Sequence, residues 1–148
     1  MIRMVFIFCL LGVLTACQQR KPEQTYADRA RYLYTQGVEA LEDSNYIDAI
    51  KDFTETIRAN PEHARAYMSR ADIFASQGEN GKAIADYTIA IELKPKWAEA
   101  FYNRGLAYKS NGQQDEAVAD FTEAIKLNPK REQNTQTISF RAGTAPVE

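Results

Sequence analysis

From residue 30 onward, apolar positions recur at helical spacing, and the whole pattern repeats every 34 residues. Phe53, Tyr87 and Phe121 form one column, and Ala49, Ala83 and Ala117 form another. Gly37, Ala71 and Gly105 make a third, and Pro61, Pro95 and Pro129 a fourth. Four columns in one register mark a stacked-helix array, because a period of this length is one supersecondary unit laid down repeatedly. Each period holds two helical patterns. The turns between them read Asp43-Ser44-Asn45, Gln77-Gly78-Glu79-Asn80-Gly81 and Ser110-Asn111-Gly112. The prolines fall just past the second helix, where a missing N–H and a fixed φ stop propagation. A second stripe, Ile50, Ile84 and Val118 with Ile57, Ile91 and Ile125, is expected to pack on the first helix of the next repeat. Gly37, Ala71 and Gly105 are expected to meet Ala49, Ala83 and Ala117, where no larger side chain fits. The pattern therefore predicts an all-α chain of three helix-turn-helix repeats at 30–63, 64–97 and 98–131.

The second repeat reads Tyr67, Arg70, Ala71, Phe74, Ala83, Tyr87, Pro95, and the third Phe101, Arg104, Gly105, Tyr108, Ala117, Phe121, Pro129. The first reads Leu33, Gln36, Gly37, Ala40, Ala49, Phe53, Pro61. These residues resemble the tetratricopeptide (TPR) repeat family. They depart from it at the Leu-like position, which holds Gln36, Arg70 and Arg104. The first repeat departs furthest, with Ala40 in the aromatic column and Thr56 where Ala90 and Ala124 stand.

The resemblance implies a short right-handed superhelical solenoid whose first helices line a concave groove. It places Arg31, Tyr34, Val38 and Leu41 there from the first repeat, and Arg65, Met68, Ser69 and Asp72 from the second. Glu99, Tyr102, Asn103, Leu106 and Lys109 come from the third. This mixture suits an extended peptide or a partner helix. Tyr34, Met68, Tyr102 and Leu106 would be apolar anchors, and Arg65, Asn103 and Lys109 orienting groups; the competing assignment is a plain solvated face. Family members that clamp a C-terminal carboxylate do so with Lys, Asn and Arg. The matching positions here hold Tyr34, Val38, Ser69, Glu99 and Asn103, so clamping of that kind is not expected.

Residues 1–16 carry one cation, Arg3, and an apolar run from Met4 to Leu14 that is too short to cross a bilayer. Leu14-Thr15-Ala16-Cys17 resembles the bacterial lipobox. The resemblance implies cleavage before Cys17 and lipid, palmitate included, on that residue; an ordinary signal peptide or an uncleaved anchor is the competing assignment. Several acyl chains make attachment permanent, since each buried methylene contributes about 0.8 kcal/mol. Gln18 after the cysteine implies the outer membrane, facing the periplasm, in a source with two membranes. Residues 17–29, with Pro22, read as a polar tether.

The whole chain has 18 Lys and Arg against 20 Asp and Glu, a net charge of −2. Loss of Arg3 with the leader would make it −3. That balance argues against nucleic acid as a partner. Of two cysteines, Cys9 leaves and Cys17 takes lipid, so packing alone must hold the fold. His63 is the only histidine, so no His-rich metal site is expected, and no metal or cofactor beyond the lipid. Gly78 and Gly81 lie in a helix–helix turn rather than after a strand, so they are not a phosphate loop. Scattered carboxylates without a pocket make no catalytic pair, and the chain is not expected to be an enzyme. Trp97, the single tryptophan, is expected to pack between the second and third repeats. Arg70 and Arg104 are expected to pair with nearby carboxylates.

The function expected is that of a membrane-anchored interaction scaffold or adaptor of the bacterial envelope, similar to TPR lipoproteins that assist assembly of envelope complexes. The alternative is an envelope lipoprotein that binds a small molecule or glycan. In the tail, 132–148, Ile138 and Phe140 either fold over the last repeat's stripe of Val118, Ile125 and Leu127 or leave it open. Few large apolar groups in the tail favour the second outcome, with a protein partner or a homodimer on the C-terminal repeat. Intact-mass analysis of the protein from its own membrane is expected to show Cys17 acylated and residues 1–16 gone. A Cys17→Ser chain that stays equally membrane-bound would refute the lipid anchor.

Overall fold

The structure, a computed structural model, describes residues 22–129. The leader, Cys17 and the 132–148 tail lie outside the described residues. Six α-helices follow in order: α1 (Pro22–Glu42), α2 (Tyr46–Ala59), α3 (Ala64–Ser76), α4 (Asn80–Leu93), α5 (Ala98–Ser110) and α6 (Gln114–Leu127). No strand occurs among the described residues. Successive pairs form three hairpins; α2 then packs on α3, α4 on α5, and α3 touches α5. Residues 22–29, expected as tether, are the first turns of α1. Proline suits that first position because its missing N–H is one the helix leaves unpaired anyway.

Turn chemistry explains the hairpins. Gly78 (φ 76°) and Gly112 (φ 81°) adopt the left-handed conformation at equivalent positions, and Ser44 (φ 58°) takes the same place in the first hairpin. Asn45 caps α2, its side chain accepting from the Asp48 N–H. The second helices end at Asn60, Lys94 and Asn128, whose extended backbones the following prolines favour.

The tightest contact within a repeat differs in partner from the one expected. A Cβ placed on Gly37 would stand 2.6 Å from Phe53 Cε1, and one on Gly105 2.7 Å from Phe121 Cε1. The Ala117 carbonyl lies 3.3 Å from the latter, so the alanine column helps only through its backbone. The aromatic ring makes the stronger demand for a small residue, and at Gly105 the Ala117 backbone adds to it. In the second repeat Ala71 fills that position and Tyr87 replaces phenylalanine.

Between repeats the core is continuous. Ala66 and Ile73 of α3 pack into the first repeat's cluster with Ala49 and Phe53. Ala100 and Ala107 of α5 join the second repeat's cluster with Ala71, Ala83 and Tyr87. Ile50, Ile84 and Ile57 are partly covered, and Ile91 is buried, in this way. The same stripe in the last repeat is open: Val118 is 63% and Ile125 39% exposed. The tail residues Ile138 and Phe140, considered above as a cover, lie outside the described residues.

A polar seam stitches the same joints. Arg70 donates from Nε and Nη2 to both oxygens of Asp86 (2.7 and 2.8 Å) and from Nη1 to Thr54 Oγ1 (2.9 Å). Arg104 repeats this with Asp120 (2.7 and 2.8 Å) and Thr88 (3.1 Å). Each arginine thus joins its own hairpin to the second helix of the preceding one. The guanidinium also lies 5.9 Å from the Tyr67 and Phe74 rings, and that of Arg104 5.6 and 5.7 Å from Phe101 and Tyr108. The carboxylate hydrogen bonds raise both arginines above their ordinary pKa, so both guanidinium groups stay charged. Gln36 holds the equivalent place in α1, which has no preceding repeat among the described residues, and donates to Glu39 instead.

Asp120 is buried, so removing its partner strands a charge. Arg104→Met is expected to lower stability by about 3 kcal/mol in urea unfolding, with Arg104→Met/Asp120→Leu recovering most of the loss. Equal losses in the single and double variants would show that the seam does not act as a charge pair.

Candidate functional site

The face formed by α1, α3 and α5 carries the residues expected in the groove. Side by side, these helices present equivalent positions at 34-residue spacing: Tyr34, Met68 and Tyr102 in one column, Val38, Asp72 and Leu106 in another. Tyr34 is half-buried, its ring 5.6 Å from Phe53 and 4.7 Å from His63. Tyr102 is likewise half-buried, 5.4 Å from Phe121. Val38 and Leu41 pack against the first core cluster. Leu106 is 43% exposed, and Arg65 and Lys109 are exposed.

Met68 needs correction as an anchor. It is buried in the second repeat's core, at 5% exposure. The tyrosines at 34 and 102 lean on phenylalanine rings and keep an edge in solvent; the flexible thioether chain instead packs down among Ala71, Ala83 and Tyr87.

Asp72 and Asn103 meet. Asp72 Oδ1 accepts from Tyr87 Oη at 2.6 Å and from Asn103 Nδ2 at 3.0 Å, joining α3, α4 and α5. Partial withdrawal from water raises the Asp72 carboxyl above its ordinary value, and Glu99 adds to this. The two hydrogen bonds offset part of it. Burial and the same hydrogen bond push the Tyr87 hydroxyl far up, so it remains a donor. These groups open on a cavity of about 290 Å³ shared with Ala75, Leu106 and Ala107.

A larger open cavity, about 720 Å³, lies at the start of α5 between Arg65, Lys94, Pro95, Lys96, Trp97 and Glu99. Trp97 packs on the core shared by the second and third repeats, as expected, and it also lines this cavity. Lys94 Nζ stands 5.2 Å from its ring centroid. Tyr87, Lys94 and Lys96 were not anticipated. A signal for Tyr87 existed: it is the one hydroxyl in the Phe53/Tyr87/Phe121 column, and Asp72 the one acceptor in the column it faces.

The remaining chemistry is structural. His63 caps α3, Nδ1 accepting from the Ala66 N–H at 3.2 Å. Among the described residues no group of three or more His, Cys, Asp or Glu is arranged to hold a metal ion, and no helix is long and apolar enough to cross a membrane.

Residues 71–112 match the family model described as TPR repeat, and residues 98–131 the one described as Tetratricopeptide repeat. Solved structures share the fold. A crystal structure of MamA is 32% identical, with a TM-score of 0.66 over 70% of this chain and 61% of that one. The Arabidopsis OM64 TPR domain is 28% identical, with a TM-score of 0.68 over 71% and 87%. The second TPR of Spaghetti (RPAP3) bound to HSP90 peptide SRMEEVD is 27% identical, with a TM-score of 0.68 over 72% and 97%. The chain spans about three fifths of the MamA chain it matches. No curated protein matches it.

His63 yields a pH test. Burial, aided by the charges of Lys94 and Arg65, lowers its pKa below the ordinary 6.5. A depressed histidine stabilises the fold above its unfolded pKa, and that contribution disappears as pH falls through the folded value. Unfolding titrations from about pH 7 to 5 are expected to show this loss. His63→Asn, which keeps a capping acceptor, should remove the histidine's part of the slope. An identical slope in both proteins would contradict the assignment.

Proposed function

We propose that this tetratricopeptide-repeat array is a protein-interaction scaffold that receives a peptide or helix of a partner along α1, α3 and α5. The observation that carries this reading is the single face on which Tyr34, Tyr102 and Leu106 offer apolar surface beside Arg65, Asp72, Asn103 and Lys109. Aromatic anchors surrounded by orienting polar groups are the anatomy of a recognition surface. A structural neighbour of the same fold is bound to HSP90 peptide SRMEEVD, which supports a peptide as the occupant. Tyr34, Val38, Ser69, Glu99 and Asn103 stand where clamping relatives carry their cations and amides, so the carboxylate terminus of such a peptide is not the feature read here.

Leu14-Thr15-Ala16-Cys17 supports attachment of the scaffold to an envelope membrane through a lipid on Cys17. A tethered adaptor of this size suits assembly of an envelope complex, in the outer membrane where two membranes exist. The open Val118 and Ile125 surface supplies a second contact, for a partner or another copy of the chain.

The test is capture of partners by the membrane-anchored protein after in-cell crosslinking. Tyr102→Ala with Leu106→Glu is expected to abolish specific capture while circular dichroism shows unchanged helix content. Undiminished capture by this folded variant would place the binding surface elsewhere.

A further inference from the structure

Three cations gather where α3 and α5 begin, and none has an ion-pair partner among the described residues. Arg65, Lys94 and Lys96 border the 720 Å³ cavity together with Pro95, Trp97 and Glu99. Arg31, Arg58, Lys82 and Lys126 each have a carboxylate three residues away, and the other described cations without an ion pair, Arg29, Lys51 and Lys109, do not border this cavity. The clustering occurs on a chain of net charge −2, so it is a local feature and not a reflection of composition. Its field extends beyond the cavity: Lys94 and Arg65 both act on His63, in the direction that disfavours a further positive charge. The cavity wall is not purely ionic. Trp97 and Pro95 give it apolar surface, and Lys94 already lies near the indole ring.

We propose that this cavity takes an acidic segment of a protein partner, carboxylates beside an aromatic or branched apolar residue. The apolar side chain rests on Trp97 and Pro95, while the carboxylates meet Arg65, Lys94 and Lys96. This rests on the scaffold reading and specifies the chemistry of its partner, since Arg65 belongs both to the cavity and to the recognition face. Glu99 in the same wall opposes a continuous run of negative charge, which suits one or two acids with apolar neighbours over a polyanion. A nucleic acid would meet a net negative protein and only three phosphate-binding cations, too few for strong counterion release. An anionic membrane needs cations spread on a plane, whereas these surround a concavity.

Trp97 is the only tryptophan, so the indole emission of the protein comes from a residue of this cavity's wall. A display library of random peptides lacking tryptophan is panned against the full-length chain, and each recovered peptide is titrated while Trp97 emission is followed. The recovered sequences are expected to combine Asp or Glu with an adjacent apolar residue and to shift the emission. Their affinity should fall steeply as salt rises. The Arg65→Glu/Lys94→Glu/Lys96→Glu variant should bind at least about tenfold more weakly. The milder Lys94→Gln/Lys96→Gln variant, checked for unchanged helix content, should show a smaller loss in the same direction. Recovered peptides that are neutral or basic, lose affinity with Tyr102→Ala/Leu106→Glu and leave Trp97 unchanged would overturn this proposal while leaving the scaffold reading intact. Recovery of no peptide at all would overturn both. A Trp97 response to phosphatidylglycerol vesicles or to oligothymidylate, with none to acidic peptides, would also overturn it and identify the other occupant.

Discussion

The architecture depends on one close approach, that of an aromatic ring on the second helix of each hairpin to a residue on the first that must be very small. A methyl group on Gly37 or Gly105 would intrude on the phenylalanine ring at well under van der Waals distance. Other choices in the repeat follow from this one. In the first and third repeats glycine lets the phenylalanine ring slide across the first helix, where Tyr34 or Tyr102 leans on it. In the second, Ala71 occupies the gap, Tyr87 replaces phenylalanine, and Met68 fills the space that a tyrosine takes elsewhere. A hydroxyl then needs an acceptor, which Asp72 supplies where Val38 and Leu106 stand in the other repeats. Asn103 in turn donates to the same oxygen. The Asp72 carboxylate on the recognition face is thus a consequence of how a core ring is accommodated.

The arginine seam solves a different problem. Small core residues such as Ala66, Ala100 and Ala107 let repeats approach closely but specify their relative position weakly. A bidentate Arg–Asp pair with a third bond to the preceding repeat's threonine has few acceptable geometries, and an error would leave a buried carboxylate unpaired. Desolvating such a pair consumes much of its Coulomb attraction, so its clearest effect is on register rather than on net stability. The first repeat fits this account. With no predecessor among the described residues, it carries Gln36 in place of the arginine, and Asp52 in the acidic column is only partly buried.

The helical pairs and their stacking were legible because a 34-residue period, turn residues and prolines all report the same geometry. The buried rows Ala49, Phe53, Ala83 and Tyr87 followed from it. Three things were hidden. Which of two small columns bears the tight contact depends on ring orientation, which spacing does not carry. Met68 shares its column with two tyrosines and looked like an exposed anchor, yet an unbranched chain follows the packing around it. Lys94, Lys96 and Arg65 converge from a turn and a helix start about 30 residues apart in sequence. Only the folded path of the chain brings them together.

The two ends of the described array are unlike, and that restricts how copies could meet. Where α3 presents Ala66 and Ile73 to the preceding repeat, α1 presents Tyr32 and Glu39 at the equivalent positions, and both are exposed. This end is already suited to water. The other end offers Val118 and Ile125, equivalent to residues that are at least partly covered in the inner repeats. Head-to-tail stacking of copies would press Ile125 and Val118 against the Glu39 side of α1 and desolvate a carboxylate whose one hydrogen bond, from the neutral Gln36 amide, leaves its charge uncompensated. A two-fold contact would instead oppose the apolar stripe to itself, burying like against like and closing the assembly at two. The polar face of α1 would therefore disfavour open-ended stacking of copies through the Val118 and Ile125 surface.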